Sequence, residues 1–401
     1  MESSIIEALY TSFHRKLARV SVDYKRYLYE KINWNVRMIG IKGARGVGKT
    51  TLLLQHIKLA FAGRDTAFYV SLDDLLFKTN SLQDLVEYSY SHGVTYLFLD
   101  EVHHYPDWSQ NLKNIYDNYP DLNIIYTGSS MLEIDNSKVD LSRRQTVYEL
   151  AGLSFREYLA FEDILSFSPV SLVELLDRHL PYAMEITAKI KILPLFEKYL
   201  QYGYYPFYKE AGEDFPARLQ EVALLVIDSD LPAVEDVEYA TVQKAKKMLM
   251  ILAERVPFTP NISQLCKELG TVRDLGLKLL YALDRAALLN LLTSEIKSYK
   301  QLSKPDKIYL NNTNLMYALT PCVNKGSMRE TFFCNQMNSV STVVAPQKGD
   351  FLVAGKYLFE IGGKNKTFEQ IKDLSDSYLA VDDMEFGRKN RIPLWMFGLL
   401  Y

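Results

Sequence analysis

The stretch that decides the fold is VRMIGIKGARGVGKTTLLLQHIKLAF, residues 36–61. It opens on a short apolar strand at 36–41 and passes through Gly43-Ala44-Arg45-Gly46-Val47-Gly48-Lys49-Thr50. An apolar helix follows at 51–61. The central octapeptide fits GxxxxGK[ST] in full. A strand before it and a helix after it are the context that separates a phosphate-binding loop from a glycine-rich turn of no chemical consequence. Glycines let backbone N–H groups turn inward around phosphate oxygens, and the following helix points its positive dipole end at them. Lys49 is placed to reach β- and γ-phosphates, and Thr50 to offer its hydroxyl to Mg²⁺. Gly43, Ala44, Arg45, Gly46, Val47, Gly48, Lys49, Thr50 and Thr51 are therefore the candidate nucleotide-binding residues of the loop.

Further strands are expected at 66–72, 95–100, 122–127 and 146–150, with helices at 82–91 and 108–118 between them. Such alternation argues for a parallel sheet covered on both faces. The strand Tyr96-Leu97-Phe98-Leu99-Asp100-Glu101 ends in two acids. A buried strand that delivers a carboxylate to its edge is costly without a purpose. Asp100 is placed to hold Mg²⁺ through water, and Glu101 to polarise an attacking water. Solvated strand-end acids are the alternative, and the loop upstream weighs against it. His103 and His104 follow in DEVHHYPDW. Adjacent histidines do not easily face one metal, and no third ligand is evident, so packing or shaping of the loop is the expected role. Trp108 is expected in the core.

Taken together, GARGVGKT (43–50), FLDE (98–101) and the polar strand end TGSS (127–130) resemble the AAA-type P-loop ATPases. The resemblance implies Mg²⁺-dependent hydrolysis of ATP, with ATP and Mg²⁺ bound by Lys49, Thr50 and Asp100, and Glu101 as the catalytic base. In that family the strand lying between those of the two nucleotide motifs ends in a polar sensor. Thr127, Ser129 and Ser130 are the candidates, and the pattern does not choose among them. An arginine just before the fifth strand acts on the neighbouring subunit's nucleotide. Arg143 and Arg144 stand there, Arg144 being the better match, which implies a homo-oligomer. A finger of this kind contributes about 10³–10⁵-fold in rate. Surface pairing of both arginines with Asp135 or Asp140 is the bland alternative. No NKxD-type segment is present, which argues against a GTPase, and the DE pair argues against a small-molecule kinase.

More specifically, the chain is similar to a prokaryotic branch with a LSFREYL segment, here 153–159. That branch implies an α/β P-loop domain at 34–152 after an N-terminal helical segment at 1–33. A helical lid or linker at 153–240, a winged helix at 241–315 and a small α/β domain related to restriction nucleases at 316–401 would follow. Thr271, with Asp274 as a capping box, is expected to start the second helix of the helix–turn–helix. That helix carries Arg273, Lys278 and Arg285 against Asp274 and Asp284, a net charge of +1. This is weak for reading a DNA groove, which needs several phosphate contacts, so packing on neighbouring domains stands beside DNA contact. In the last domain the candidate acids are Glu330, Asp350 and Glu360. The nuclease pattern needs a lysine two residues after the last acid. Here Gly362 fills that place, and Lys364 lies about 13 Å along an ideal strand. A degenerate domain is expected unless a glycine bulge shortens the gap. The partner is thus DNA or a protein, and the function a nucleotide-driven switch on a macromolecular target. A DNA-cleaving effector gated by ATP and a nucleotide-binding scaffold are the alternatives.

Composition agrees with a globular chain: 48% of the 401 residues are hydrophobic and 24% charged, which excludes a largely disordered protein. A formal charge of −3 leaves no global basic excess that would point to nucleic acid. Cys266, Cys322 and Cys334 are widely spaced, with no CxxC, so neither a disulfide framework nor a zinc knuckle is expected and a reducing cytosol fits. No signal peptide is visible, and no stretch approaches the ~18 apolar residues of a membrane-spanning helix. The apolar tail IPLWMFGLLY, 392–401, reads as a final buried strand.

Overall fold

Five short apolar runs pair into a wholly parallel sheet: β1 (Met38–Gly43), β2 (Ala67–Ser71), β3 (Tyr96–Asp100), β4 (Asn123–Ser129) and β5 (Thr146–Glu149). Their order is β2-β3-β4-β1-β5. The central strands are buried along nearly their whole length, as expected where helices cover both faces. This is the computed structural model of the chain, and it describes residues 2–130, 141–234, 238–257, 261–294, 304–369, 371 and 374–401. The chain divides into two units. One comprises Met1–Ala151 with Ser229–Asp236, the other Gly152–Asp228 with Val237–Tyr401.

In the first unit β4 lies between β1 and β3, the strands of the two nucleotide motifs, as the sequence led us to expect. The helix Lys49–Ala60 starts directly from the phosphate loop after Gly48, whose φ of 98° is left-handed. Gly43 is required by close approach: a β-carbon there would lie 2.5 Å from the Leu150 carbonyl oxygen at the end of β5. The N-terminal segment departs from the expected continuous helix. Its helix is Ser3–Arg19, and only a short turn at Tyr27–Glu30 follows. Ser21 and Asp23 bond one another, and Asp23 N–H donates to the Ser21 hydroxyl at 3.1 Å, a local turn that competes with helix. The irregular stretch braces the loop instead. Buried Arg26 donates to the carbonyls of Val47 at 2.6 Å and Ala151 at 2.7 Å.

The second unit contains the helices Phe155–Phe161, Leu172–Thr187, Ile192–Tyr202 and Phe215–Leu225. Ser154 and Glu157 form a full capping box, and the Ser154 hydroxyl also donates to the Tyr401 carbonyl at 2.6 Å. Helices Tyr239–Ala253, Ile262–Leu269 and Arg273–Arg285 come next, with an antiparallel ladder of β6 (Leu289–Leu292) and β7 (Lys307–Leu310). The expected cap at Thr271 does not form: Val272 takes the cap position without a side-chain bond. Thr271 N–H is already bound to the Cys266 carbonyl at 2.9 Å, in a stop around left-handed Gly270 that belongs to the preceding helix. A second sheet has the order β12-β11-β10-β9-β8. Its strands are β8 (Val343–Val344), β9 (Phe351–Val353), β10 (Tyr357–Gly362), β11 (Ser377–Val381) and β12 (Arg391–Pro393). The apolar tail is buried as expected, but only Ile392 and Pro393 of it belong to a strand, the end of β12. After Pro393, which has no N–H for a ladder, it turns into the 3₁₀ segment Leu394–Leu399. No helix among the described residues is long and apolar enough to cross a membrane.

Replacing Arg26 with methionine leaves the Val47 and Ala151 carbonyls without their charged donor. Hydrogen bonds to charged groups contribute about 1.5–3 kcal/mol each. Urea unfolding of Arg26→Met is expected to show a loss of about 3 kcal/mol in stability, taking P-loop order with it.

Candidate functional site

The parallel register sets Ser71 beside Asp100 and Ile41 beside Thr127, so the C-terminal ends of β1 to β4 converge on one edge. Asp100 is 2% exposed there and is saturated with hydroxyl donors. Thr50 donates to its Oδ2 at 2.7 Å and Tyr69 to the same oxygen at 2.8 Å. Thr127 donates to Oδ1. Burial and the neighbouring Asp100 carboxylate push the Tyr69 phenol up, which keeps it a donor. The Thr127 oxygen also accepts the Glu101 N–H at 3.0 Å. Of the three sensor candidates, Thr127 is therefore committed to holding the two acids. Ser129 presents its N–H to Nδ1 of His103 at 3.3 Å, and the Ser130 hydroxyl is buried without a hydrogen-bond partner among the described residues.

Lys49 is 5% exposed and donates to the carbonyls of Gly43 at 2.9 Å and Ala44 at 3.2 Å. Among the described residues Glu101 pairs with it at 3.7 Å, longer than a hydrogen bond. A buried ammonium held this loosely by its counter-charge is suited to bind phosphate oxygens. Glu101 has φ 53°, a left-handed conformation uncommon for a residue with a side chain, and this turns its carboxylate back over the loop. Thr50 and Asp100 offer two hard oxygens side by side, the donor set that Mg²⁺ takes when phosphates complete its shell. Thr51 lies in the first turn of the Lys49 helix and is exposed.

Glu101, His103 and His104 bring ligand-type atoms within 4.8 Å of one another. The ring of His103 is nevertheless occupied. Its Nδ1 accepts from Ser129 N–H, so the ring proton sits on Nε2 and neither nitrogen offers a lone pair to a metal. That Nε2–H is buried without a hydrogen-bond partner among the described residues, 3.6 Å from Glu101 and 3.8 Å from Asp230. Asp230 was not singled out by the sequence, where it reads as part of a helical linker; the break at Asp230-Leu231-Pro232 was the available signal. Burial would raise the Asp230 carboxyl, but His103, Ser229 and Ser129 outweigh it and hold it at about 2. Arg45 stands 3.7 Å from the same carboxylate.

Arg144 is not brought to this edge. Thr146 pairs with Ile39, so a residue two positions earlier lies level with Arg37, at the opposite end of the sheet from the loop. There Arg144 grips Asp117 through Nε at 2.9 Å and Nη2 at 3.1 Å. The expected partners Asp135 and Asp140 lie outside the described residues. In the second unit the three expected acids do gather. Lys307 stands 3.8 Å from Glu330 and 3.4 Å from Asp350. The lysine beside Glu360 is Lys366, at 2.6 Å, and not Lys364, because the chain turns after Gly362 instead of running on as a strand. Burial would lower the Lys366 ammonium, but the bond to Glu360 outweighs it and raises it.

Residues 35–159 match a family described as an AAA domain. This segment is similar to that family and contains the phosphate loop and all five strands of the parallel sheet. No curated protein matches the chain. Among solved structures, AMPPCP-bound DnaA from Aquifex aeolicus is 17% identical, over 64% of this chain and 84% of that one, with a TM-score of 0.29. Domain III of the Thermotoga maritima replication initiation protein DnaA is 17% identical, over 47% and 91%, with a TM-score of 0.25. A structure on katanin self-assembly is 16% identical, over 43% and 58%, with a TM-score of 0.26. Scores this low carry no functional argument.

Thr127→Val keeps the shape of the side chain and removes its hydroxyl from both acids. A buried carboxylate that loses one donor costs about 2 kcal/mol, so urea unfolding of Thr127→Val is expected to show a stability loss of about that size.

Proposed function

We propose that this chain is a Mg²⁺-dependent ATPase that works as a nucleotide-driven switch on a macromolecular target. The observation that carries the reading is the 2.7 Å contact between Thr50 and Asp100, with buried Lys49 and the Glu101 carboxylate facing each other across the loop. The loop amides and Lys49 would bind the phosphates. Thr50 and Asp100 would hold Mg²⁺, which when bound neutralises charge on the β- and γ-oxygens. Glu101 accepts a proton from water and turns it toward the phosphorus, while Thr127 keeps the Glu101 backbone in place. Ser129 and Ser130, at the end of β4, are suited to sense the terminal phosphate. Arg144 acts on a neighbouring copy's nucleotide, since its own lies at the far edge of the sheet. The helices at 239–285 with β6 and β7 act as a winged helix that contacts DNA or protein. The exposed face of Arg273–Arg285 carries Arg273 and Lys278 beside Asp274, a modest charge for DNA.

The nuclease alternative receives less support. Glu330, Asp350 and Glu360 each have a lysine within ion-pair distance, which suits a balanced structural cluster better than an open metal site. The scaffold alternative differs only in turnover, and turnover decides it. Phosphate release should be followed at several protein concentrations for wild type, Glu101→Gln and Arg144→Ala. We expect wild-type turnover per molecule to rise with concentration. Glu101→Gln should lower it at least ~100-fold while keeping ATP binding. Arg144→Ala should flatten the concentration dependence. A wild type that binds ATP without releasing phosphate supports the scaffold instead.

A further inference from the structure

The turn Val226–Asp230 brings to the nucleotide site a group that a phosphate loop does not by itself require. It is a π-helical turn, a form that concentrates at functional sites. The helix before it, Phe215–Leu225, belongs to the second unit, whereas Asp230 belongs to the unit of the parallel sheet. Its carboxylate is 2% exposed and accepts from the Ser229 hydroxyl at 2.7 Å. Arg45 lies 3.7 Å away, and Nε2 of His103 lies 3.8 Å away.

The position of that Nε2–H gives Asp230 its meaning. The Ser129 N–H fixes the ring through Nδ1, so the proton on Nε2 points between two carboxylates, Glu101 at 3.6 Å and Asp230 at 3.8 Å. It hydrogen-bonds to neither, and a single N–H closes well on only one acceptor. If it closes on Glu101, it occupies the carboxylate that water activation needs. If it closes on Asp230, Glu101 remains open.

We propose that Asp230 is a positioning residue that acts through His103, drawing the Nε2–H toward itself and so leaving the Glu101 carboxylate free to accept a proton from the attacking water. The proposal rests on the ATPase reading above. Asp230 is assigned no direct part in the reaction; Arg45 and Ser229 flank its buried carboxylate where His103 can reach it.

The test is a double-mutant cycle on the full chain, Asp230→Asn, His103→Phe and the pair, read by ATPase kinetics and by binding of a fluorescent ATP analogue. Asp230→Asn is nearly isosteric, and retained analogue binding checks that the site is folded. We expect it to lower kcat about tenfold, a fraction of the ~10²–10⁴ that a general base contributes, with KM within about twofold. In the His103→Phe background the same change should have less than about a twofold further effect, because the group it acts through is gone. A second readout needs no turnover: the ¹⁵N-histidine spectrum of the apo protein, in which His103→Phe identifies the ring signal. Its Nε2–H resonance should move in Asp230→Asn. Wild-type kinetics in Asp230→Asn, a change confined to KM, additive effects in the pair, or an unmoved resonance would each overturn the inference. A wild type that binds the analogue but does not hydrolyse ATP overturns the ATPase reading and the catalytic role with it. That outcome is recognisable because the resonance still moves.

Discussion

Everything at the nucleotide edge depends on the Asp100 carboxylate and the three hydroxyls that turn toward it. A carboxylate at 2% exposure is unfavourable unless its oxygens are bonded, and Thr50, Tyr69 and Thr127 supply those bonds from the loop helix, β2 and β4. The three donors come from elements far apart in sequence. They meet only because β4 inserts between β1 and β3 and β2 flanks β3 on the other side. The strand order is thus a requirement of the carboxylate as much as a property of the sheet. The contact with Thr50 ties the acid directly to the phosphate loop and holds both halves of the site in register.

Around this fixed point the remaining groups are held more loosely. Glu101 takes up a left-handed backbone, which costs about 1–2 kcal/mol for a residue with a side chain. Its carboxylate faces Lys49 and His103 across gaps of 3.7 and 3.6 Å, both longer than hydrogen bonds. On the proposed ATPase reading, a rigid Thr50–Asp100 pair beside a strained and lightly held Glu101 is a sensible division, because metal ligands must not move and a base must follow water. The His103 Nε2–H, which hydrogen-bonds to neither Glu101 nor Asp230, belongs to the same loosely held half.

Much of this was legible in the sequence, and for a physical reason. The phosphate loop, the YLFLD strand and the alternation of strands and helices are local patterns, and each was found within two residues or so of its expected place. The failures are equally instructive. The Thr271–Asp274 spacing predicts a capping box, but the turn at Gly270 commits the Thr271 N–H to the helix behind. Apolar character predicts a strand over the whole tail, and Pro393 ends the ladder after its first two residues. Spacing along an ideal strand points to Lys364, whereas the chain turns and brings Lys366 to Glu360. Asp230 is invisible in the sequence for a different reason: the groups it faces, Arg45 and His103, lie more than a hundred positions away, and no local pattern encodes such a meeting. Its aspartate-leucine-proline break marks an irregularity without saying what it faces.

The central claim is that this edge binds ATP through Mg²⁺ and the loop ammonium. Titration calorimetry of the purified chain with ATP, with and without Mg²⁺, tests it most directly. The account predicts saturable binding of one ATP per chain that tightens when Mg²⁺ is present. An absence of heat with ATP under both conditions, together with an unfolding temperature that neither ligand moves, would contradict it.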